Sequence, residues 1–187
     1  TYEYDALGNP IQVTDAQEHV LQLAYDAMNR LGSIANPIGG VYTLRYNAEG
    51  QPITATDEDG RTYLTEFDNF LRSSKQTDGL GHTTTERYNL PDGSLGSLYQ
   101  PTEIQYPTYT KRTRYDARER PTSDTLFIST QSGTEGRTRS TRYDPRGRVI
   151  SETDENGHTR NYGYDAHGQL MTTTDSLGNK VQTLYDI

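Results

Sequence analysis

Residues 143–165 read Tyr143-Asp144-Pro145-Arg146-Gly147-Arg148-Val149, Ile150-Ser151-Glu152, Thr153-Asp154-Glu155-Asn156-Gly157, His158-Thr159-Arg160-Asn161-Tyr162-Gly163, and then a new Tyr164-Asp165. Two Asp-x-x-Gly segments alternate here with two short stretches rich in Thr, Val and Tyr. In a type I turn, Asp at the first position bonds its own backbone through the side chain, Pro at the second presets φ, and Gly at the fourth takes a left-handed exit. The stretches between turns run about six or seven residues, a usual strand length, and are poor in helix formers. This segment predicts two antiparallel hairpins in 21 residues.

The unit recurs along the chain. An aromatic followed by Asp or Asn stands at Tyr4-Asp5, Tyr25-Asp26, Tyr46-Asn47, Phe67-Asp68, Tyr88-Asn89, Tyr115-Asp116, Tyr143-Asp144, Tyr164-Asp165 and Tyr185-Asp186, in steps of 21, 21, 21, 21, 27, 28, 21 and 21 residues. A fixed period of this kind marks a repeat architecture, and it predicts one all-β array over 1–187 with longer irregular units at 88–115 and 115–143. A second turn opens eleven residues after most aromatics, at Asp15, Asn36, Asp57, Asp78, Asp154 and Asp175. Gly147, Gly157, Gly168 and Gly178 are the left-handed exits of the best-patterned copies, while Leu71 stands where Gly is expected. The extra residues fall in Pro91 to Thr110, which includes Leu95-Gly96-Ser97-Leu98-Tyr99, and in Thr122 to Gly136, which includes Leu126-Phe127-Ile128. Longer hairpins or irregular connections are expected there, since loops absorb length at little entropic cost.

Period two places residues four, two and zero before each closing aromatic on one face of the sheet, as in Leu21, Leu23, Tyr25 and in Tyr42, Leu44, Tyr46. The aromatics are therefore expected to form a packing ladder across repeats, with hydroxyls near solvent. An open run of strands leaves edges that repeat proteins cap or continue, so an isolated piece should associate or be partly unstable.

Composition narrows the function. Only 30% of residues are hydrophobic and mean hydropathy is -0.93, which in an aperiodic chain would suggest disorder; 15 Tyr and turn residues at fixed positions oppose that. There is no Cys for cross-links and no apolar run near the roughly 20 residues of a membrane span. A start at Thr1 suggests an internal piece or a processed fragment. Net charge is -8, with a basic excess in 111–148; ordinary cross-strand ion pairs account for it more simply than a polyanion surface, and no nucleic-acid partner is expected.

No cofactor or catalytic site is expected. Asp57-Glu58-Asp59-Gly60 lacks the ligand spacing of a calcium loop. His19, His82 and His158 follow second turns at similar register, a row that geometrically suggests a metal or pH-sensitive edge, but single His residues without Cys read as turn-flanking surface groups, as does His167. Gly93-Ser94-Leu95-Gly96-Ser97 has the wrong phase for a nucleophile elbow.

The 21-residue unit, in particular Tyr143-Asp144-Pro145-Arg146-Gly147 with Thr153-Asp154-Glu155-Asn156-Gly157 and Tyr164-Asp165-Ala166-His167-Gly168 with Thr174-Asp175-Ser176-Leu177-Gly178, resembles the YD repeat of Rhs proteins. The family takes in bacterial polymorphic toxins, toxin-complex subunits and teneurins. The resemblance implies a spiralling, curved β-sheet shell that encloses and helps deliver a C-terminal toxin domain of the same polypeptide, with further YD repeats and a secretion-system spike or delivery protein as partners, and export from a bacterium. An extracellular adhesion or carbohydrate-binding module is the alternative. Asp144-Pro145-Arg146-Gly147 is similar to the self-cleaving Asp-Pro-x-Gly of such shells, but it lies in phase with the other turns and reads as a turn.

Overall fold

The computed structural model describes residues 1–90, 93 and 96–185. Among them are seventeen strands and no helix, paired antiparallel throughout. The chain forms two compact units, Thr1–Thr85 and Glu86–Ile187.

The first unit is a meander of short strands: β1 (Tyr2–Tyr4), β2 (Pro10–Thr14), β3 (Val20–Tyr25), β4 (Leu31–Ala35), β5 (Val41–Tyr46), β6 (Pro52–Thr56), β7 (Thr62–Phe67), β8 (Ser73–Thr77) and the start of β9 (Thr83–Arg87). Each strand pairs with the next in sequence. In the second unit β10 (Glu103–Gln105), β11 (Tyr109–Tyr115), β12 (Pro121–Thr130), β13 (Gly133–Tyr143), β14 (Val149–Thr153), β15 (Thr159–Tyr164), β16 (Leu170–Thr174) and β17 (Lys180–Gln182) follow the same rule.

The two hairpins of a repeat differ in register. Hairpins that open at an aromatic carry a bulge: Tyr4 faces Pro10, Tyr25 faces Leu31, Tyr46 faces Pro52, Phe67 faces Ser73, Tyr115 faces Pro121, Tyr143 faces Val149 and Tyr164 faces Leu170, each after a one-residue shift. Hairpins at the second turn pair without a shift. A bulge bends its strand and raises local twist, so bending enters at the aromatic in these repeats.

The core is thin. Tyr88, at 8% exposure, is the buried apolar residue among those described, with Ser97, Thr102, Thr113 and Ser151 as buried polar ones. The accessible surface is 13111 Å², against about 11,000 Å² for two separate compact units of these sizes. Strand side chains are half-covered by cross-strand neighbours, as in β3, where Leu21, Leu23 and Tyr25 are half-buried and Gln22 and Ala24 exposed.

Of the two insertions, that at 122–136 is a longer hairpin, β12–β13, closed at Thr130 and Gly133. Within that at 91–110, Pro91, Asp92, Ser94 and Leu95 lie outside the described residues, as does Asp186 of the last pair. Ser97 and Thr102 in this insertion donate backbone N–H groups to the carbonyls of Tyr88 and Arg87.

Candidate functional site

The recurrent chemistry of this protein sits at its turns. At the first turn, the backbone N–H of Asp144 donates to the carbonyl of Arg148, and that of Gly147 donates to Asp144. The Asp144 carboxylate then accepts from the backbone N–H of Arg148 through Oδ1 and from its guanidinium Nε through Oδ2, at 2.9 and 2.7 Å. Asp26 and Arg30, Asp68 and Arg72, and Asp116 and Arg120 repeat the clamp. Asp5 takes Asn9 instead, Asn47 takes Gln51, and Asp165 keeps the backbone contact to Gln169. The Arg120 guanidinium hydrogen bond lowers Asp116 to about 2, and the side-chain hydrogen bonds from the Asn9 amide and the Arg30 guanidinium hold Asp5 and Asp26 below the usual carboxylate range.

The arginine does a second job. Arg30 lies over the ring of Tyr46 at 4.5 Å, Arg120 over Tyr143 at 4.4 Å and Arg148 over Tyr164 at 4.5 Å; in each case the cation of one turn covers the aromatic of the next repeat. The Nη1 atoms of Arg120 and Arg148 are buried without a hydrogen-bond acceptor, which fits N–H groups pressed on a π face. Arg120 Nη1 also lies 3.3 Å from where a Cβ on Gly147 would stand.

Six of the ladder tyrosines reach back toward the preceding repeat. Tyr25, Tyr46, Tyr143, Tyr164 and Tyr185 donate their hydroxyls to the carbonyls of Pro10, Leu31, Pro121, Val149 and Leu170, at 2.7–3.0 Å. Those carbonyls belong to the residues facing the previous aromatic at its bulge. Tyr115 makes the equivalent bond to Pro101 at 3.1 Å. The expected ladder of aromatic on aromatic is corrected at Tyr46, Tyr143 and Tyr164, where the arginine of the preceding turn lies over the ring, while the hydroxyls, exposed at Tyr143 and Tyr185, bond to backbone. Tyr4 is exposed and stacks on Tyr2 at 6.2 Å, and the Tyr88 hydroxyl lies 3.4 Å from Glu86.

At the second turn, Asp15, Asp78 and Asp154 accept from the backbone N–H of His19, His82 and His158 and meet the ring Nδ1 at 3.0–3.1 Å. The backbone bond from the histidine, first, and then the ring contact hold these carboxyls below their ordinary value. Asp175 is paired with Asn179. Gly157 and Gly178 have φ of 84° and 86°. Each His sits on its own turn with its own Asp, His167 is exposed, and no group of three potential metal ligands occurs among the described residues. In Asp57-Glu58-Asp59-Gly60 the Asp57 carboxylate accepts from the backbone of Asp59 and Arg61 and from the Tyr63 hydroxyl.

In the basic stretch, Lys111 pairs with Asp124, Arg112 with Glu103, Arg137 with Glu135 and Arg139 with Glu155. The Arg139 hydrogen bond lowers Glu155 to about 2.

The arginines over the rings are the residues that reading the sequence left out. Their signal was an Arg, Asn or Gln recurring five residues after the aromatic, at Asn9, Arg30, Gln51, Arg72, Arg120, Arg148 and Gln169. The model of the RHS repeat matches residues 4–37, 25–62 and 143–180, together more than half of the chain. The chain belongs to the RHS repeat family. Among curated protein sequences nothing matches it.

Solved structures share the RHS-repeat fold over 96% of this chain. They include the crystal structure of TcdB2-TccC3-Cdc42 (TM-score 0.55, 14% identity) and a variant Tc holotoxin pore from Photorhabdus luminescens (TM-score 0.56, 16% identity). TcdB2-TccC3 without its hypervariable C-terminal region is a third (TM-score 0.55, 14% identity). The chain spans only 12–13% of the length of those proteins.

Proposed function

We propose that this chain is a stretch of wall in an Rhs-type shell, a single YD-repeat array over 1–187 that encloses a C-terminal toxin region of the same polypeptide and helps deliver it from the bacterium that exports it. Its partners are further RHS repeats, that toxin region and a delivery protein such as a secretion-system spike. The aromatics, turn aspartates and exit glycines are structural, and the role is steric rather than enzymatic: cargo is kept from proteases and from the producing cell.

The observation that carries this reading is surface that the segment does not cover by itself. Strands with one buried apolar residue among those described and 13111 Å² accessible would gain their cover from repeats and contents outside them. The hypervariable C-terminal region of TcdB2-TccC3 supports the idea that variable cargo follows such a wall. The glycan-binding alternative has less to stand on at Tyr46, Tyr143 and Tyr164, whose faces are covered by arginine, and would rest on exposed rings such as Tyr4, Tyr99 and Tyr185.

Limited proteolysis of the full-length protein tests enclosure. The C-terminal region should survive protease at least ten times longer in the whole protein than as an isolated piece, where about 1.4 kcal/mol of protection corresponds to each tenfold. Equal digestion would overturn the proposal.

A further inference from the structure

The hairpin β12–β13 outruns its neighbours. β12 and β13 pair over eight positions, from Ser123 with Ser140 to Thr130 with Gly133, while the other side of β13 meets β14 only from Ser140 to Tyr143. Residues 133–139 are all exposed, and no strand lies beyond them on that side among the described residues. In a strand with one neighbour, every second residue turns its N–H and C=O to the open side, ready to pair with another chain. β13 lies inside the run of repeats and already has its next strand, β14, at Ser140 to Tyr143, so the strand that follows it does not complete this edge.

The edge has a pattern. It reads Gly133-Thr134-Glu135-Gly136-Arg137-Thr138-Arg139. An antiparallel copy related by a twofold axis through Gly136 sets Glu135 opposite Arg137 of the copy, Arg137 opposite its Glu135, and Thr134 opposite its Thr138. Both charge pairs then attract, and Thr–Thr is a favourable cross-strand pair. Within one copy Glu135 and Arg137 lie on the same face and meet at 3.2 Å, each 55% exposed, a pair that contributes little by itself and is free to exchange partners. Opposite them on that face, on the strand away from the open edge, are Ile128 and Leu126, also exposed. Arg139, held by Glu155 at 2.6 Å, anchors the base of the edge. The other face is kept flat by Gly136, over which the Phe127 ring lies so closely that a Cβ would stand 3.2 Å from it.

We infer that the open edge of β13 is a self-association site, at which two copies of the protein join antiparallel about Gly136 into a continuous sheet. Such an isologous contact closes as a dimer and does not propagate. This inference stands apart from the shell reading, since it concerns the outside partner of one hairpin and not what the repeats enclose.

Sedimentation of the full-length protein between about 1 and 100 μM, the range suited to so small an interface, tests it through charge reversal. Wild type should dimerise with rising concentration. Glu135→Arg and Arg137→Glu should each weaken the dimer at least about tenfold, because both pairs in each homodimer become like-charged. Mixing the two variants should restore association, since Arg at 135 of one then faces Glu at 137 of the other. The mixture also shows that both variants are folded. A wild type that stays monomeric, or single variants that dimerise as wild type does, would overturn the assignment, including the case in which the edge binds an extended segment of another protein instead.

Discussion

The hairpin β7–β8 and the hairpin β13–β14 make the same turn from different residues. In the first the sequence is Phe67-Asp68-Asn69-Phe70-Leu71-Arg72, in the second Tyr143-Asp144-Pro145-Arg146-Gly147-Arg148. Both place the aspartate N–H on the arginine carbonyl and the fourth residue's N–H on the aspartate carbonyl, at 2.8–3.0 Å. Both carry the Asp–Arg clamp, and both have a left-handed fourth residue, Leu71 at φ 61° and Gly147 at φ 92°. The aspartate and its partner are therefore sufficient to hold the turn, and glycine lowers its cost. Glu18, Asn29 and Glu119 adopt the same conformation three residues after Asp15, Asp26 and Asp116.

The sharpest way to break that equivalence is to exchange the fourth residues. Gly147→Ala should destabilise the protein by about 1–2 kcal/mol, from the left-handed backbone and from crowding against Arg120, whereas Leu71→Gly should gain up to about 1 kcal/mol. Chemical denaturation of both variants decides it; an equal loss from both would mean that Leu71 is held by its side chain.

The second difference is the hydroxyl. Tyr143 donates to Pro121 across the repeat boundary, and Phe67, standing where its hydroxyl would meet the Pro52 carbonyl, has nothing to donate. Tyr143→Phe should cost about 1 kcal/mol and Phe67→Tyr should gain a similar or smaller amount, read from the shift in denaturation midpoint.

The smallest effect per site is the clamp's response to acid. A carboxyl depressed in the folded state contributes stability above its unfolded value, and that contribution is lost as pH falls through the folded one. For Asp116 the window runs from the ordinary 3.8 down to about 2. The thermal midpoint should be flat above about pH 5 and fall below pH 4, and Asp116→Asn should flatten part of that fall. A midpoint unchanged down to pH 2 would mean that the clamps do not support the fold.

The turns were legible in the sequence because they are local: Asp, Gly and Pro act on backbone within four residues, and alternation in Leu21, Leu23 and Tyr25 follows from the pleat. Leu71 shows the limit of such reading, since a residue unsuited to the conformation is carried by a clamp whose arginine lies four places from its aspartate. The ladder was misread for a different reason. A tyrosine every 21 residues states that rings recur, but whether ring meets ring, or ring meets arginine, depends on side chains arriving from the adjacent repeat.

What the chain determined by itself is the period, the two turns per unit and the antiparallel pairing of each strand with the next, since all of these come from contacts between near neighbours. Tertiary structure alone decided that Arg30, Arg120 and Arg148 cover the next repeat's tyrosine, that tyrosine hydroxyls bond to carbonyls facing the previous bulge, and that the 122–136 insertion lengthens β12 and β13 past β14. Those outcomes rest on register and reach between residues 14 to 23 apart, where the energy lies in how one repeat meets the next.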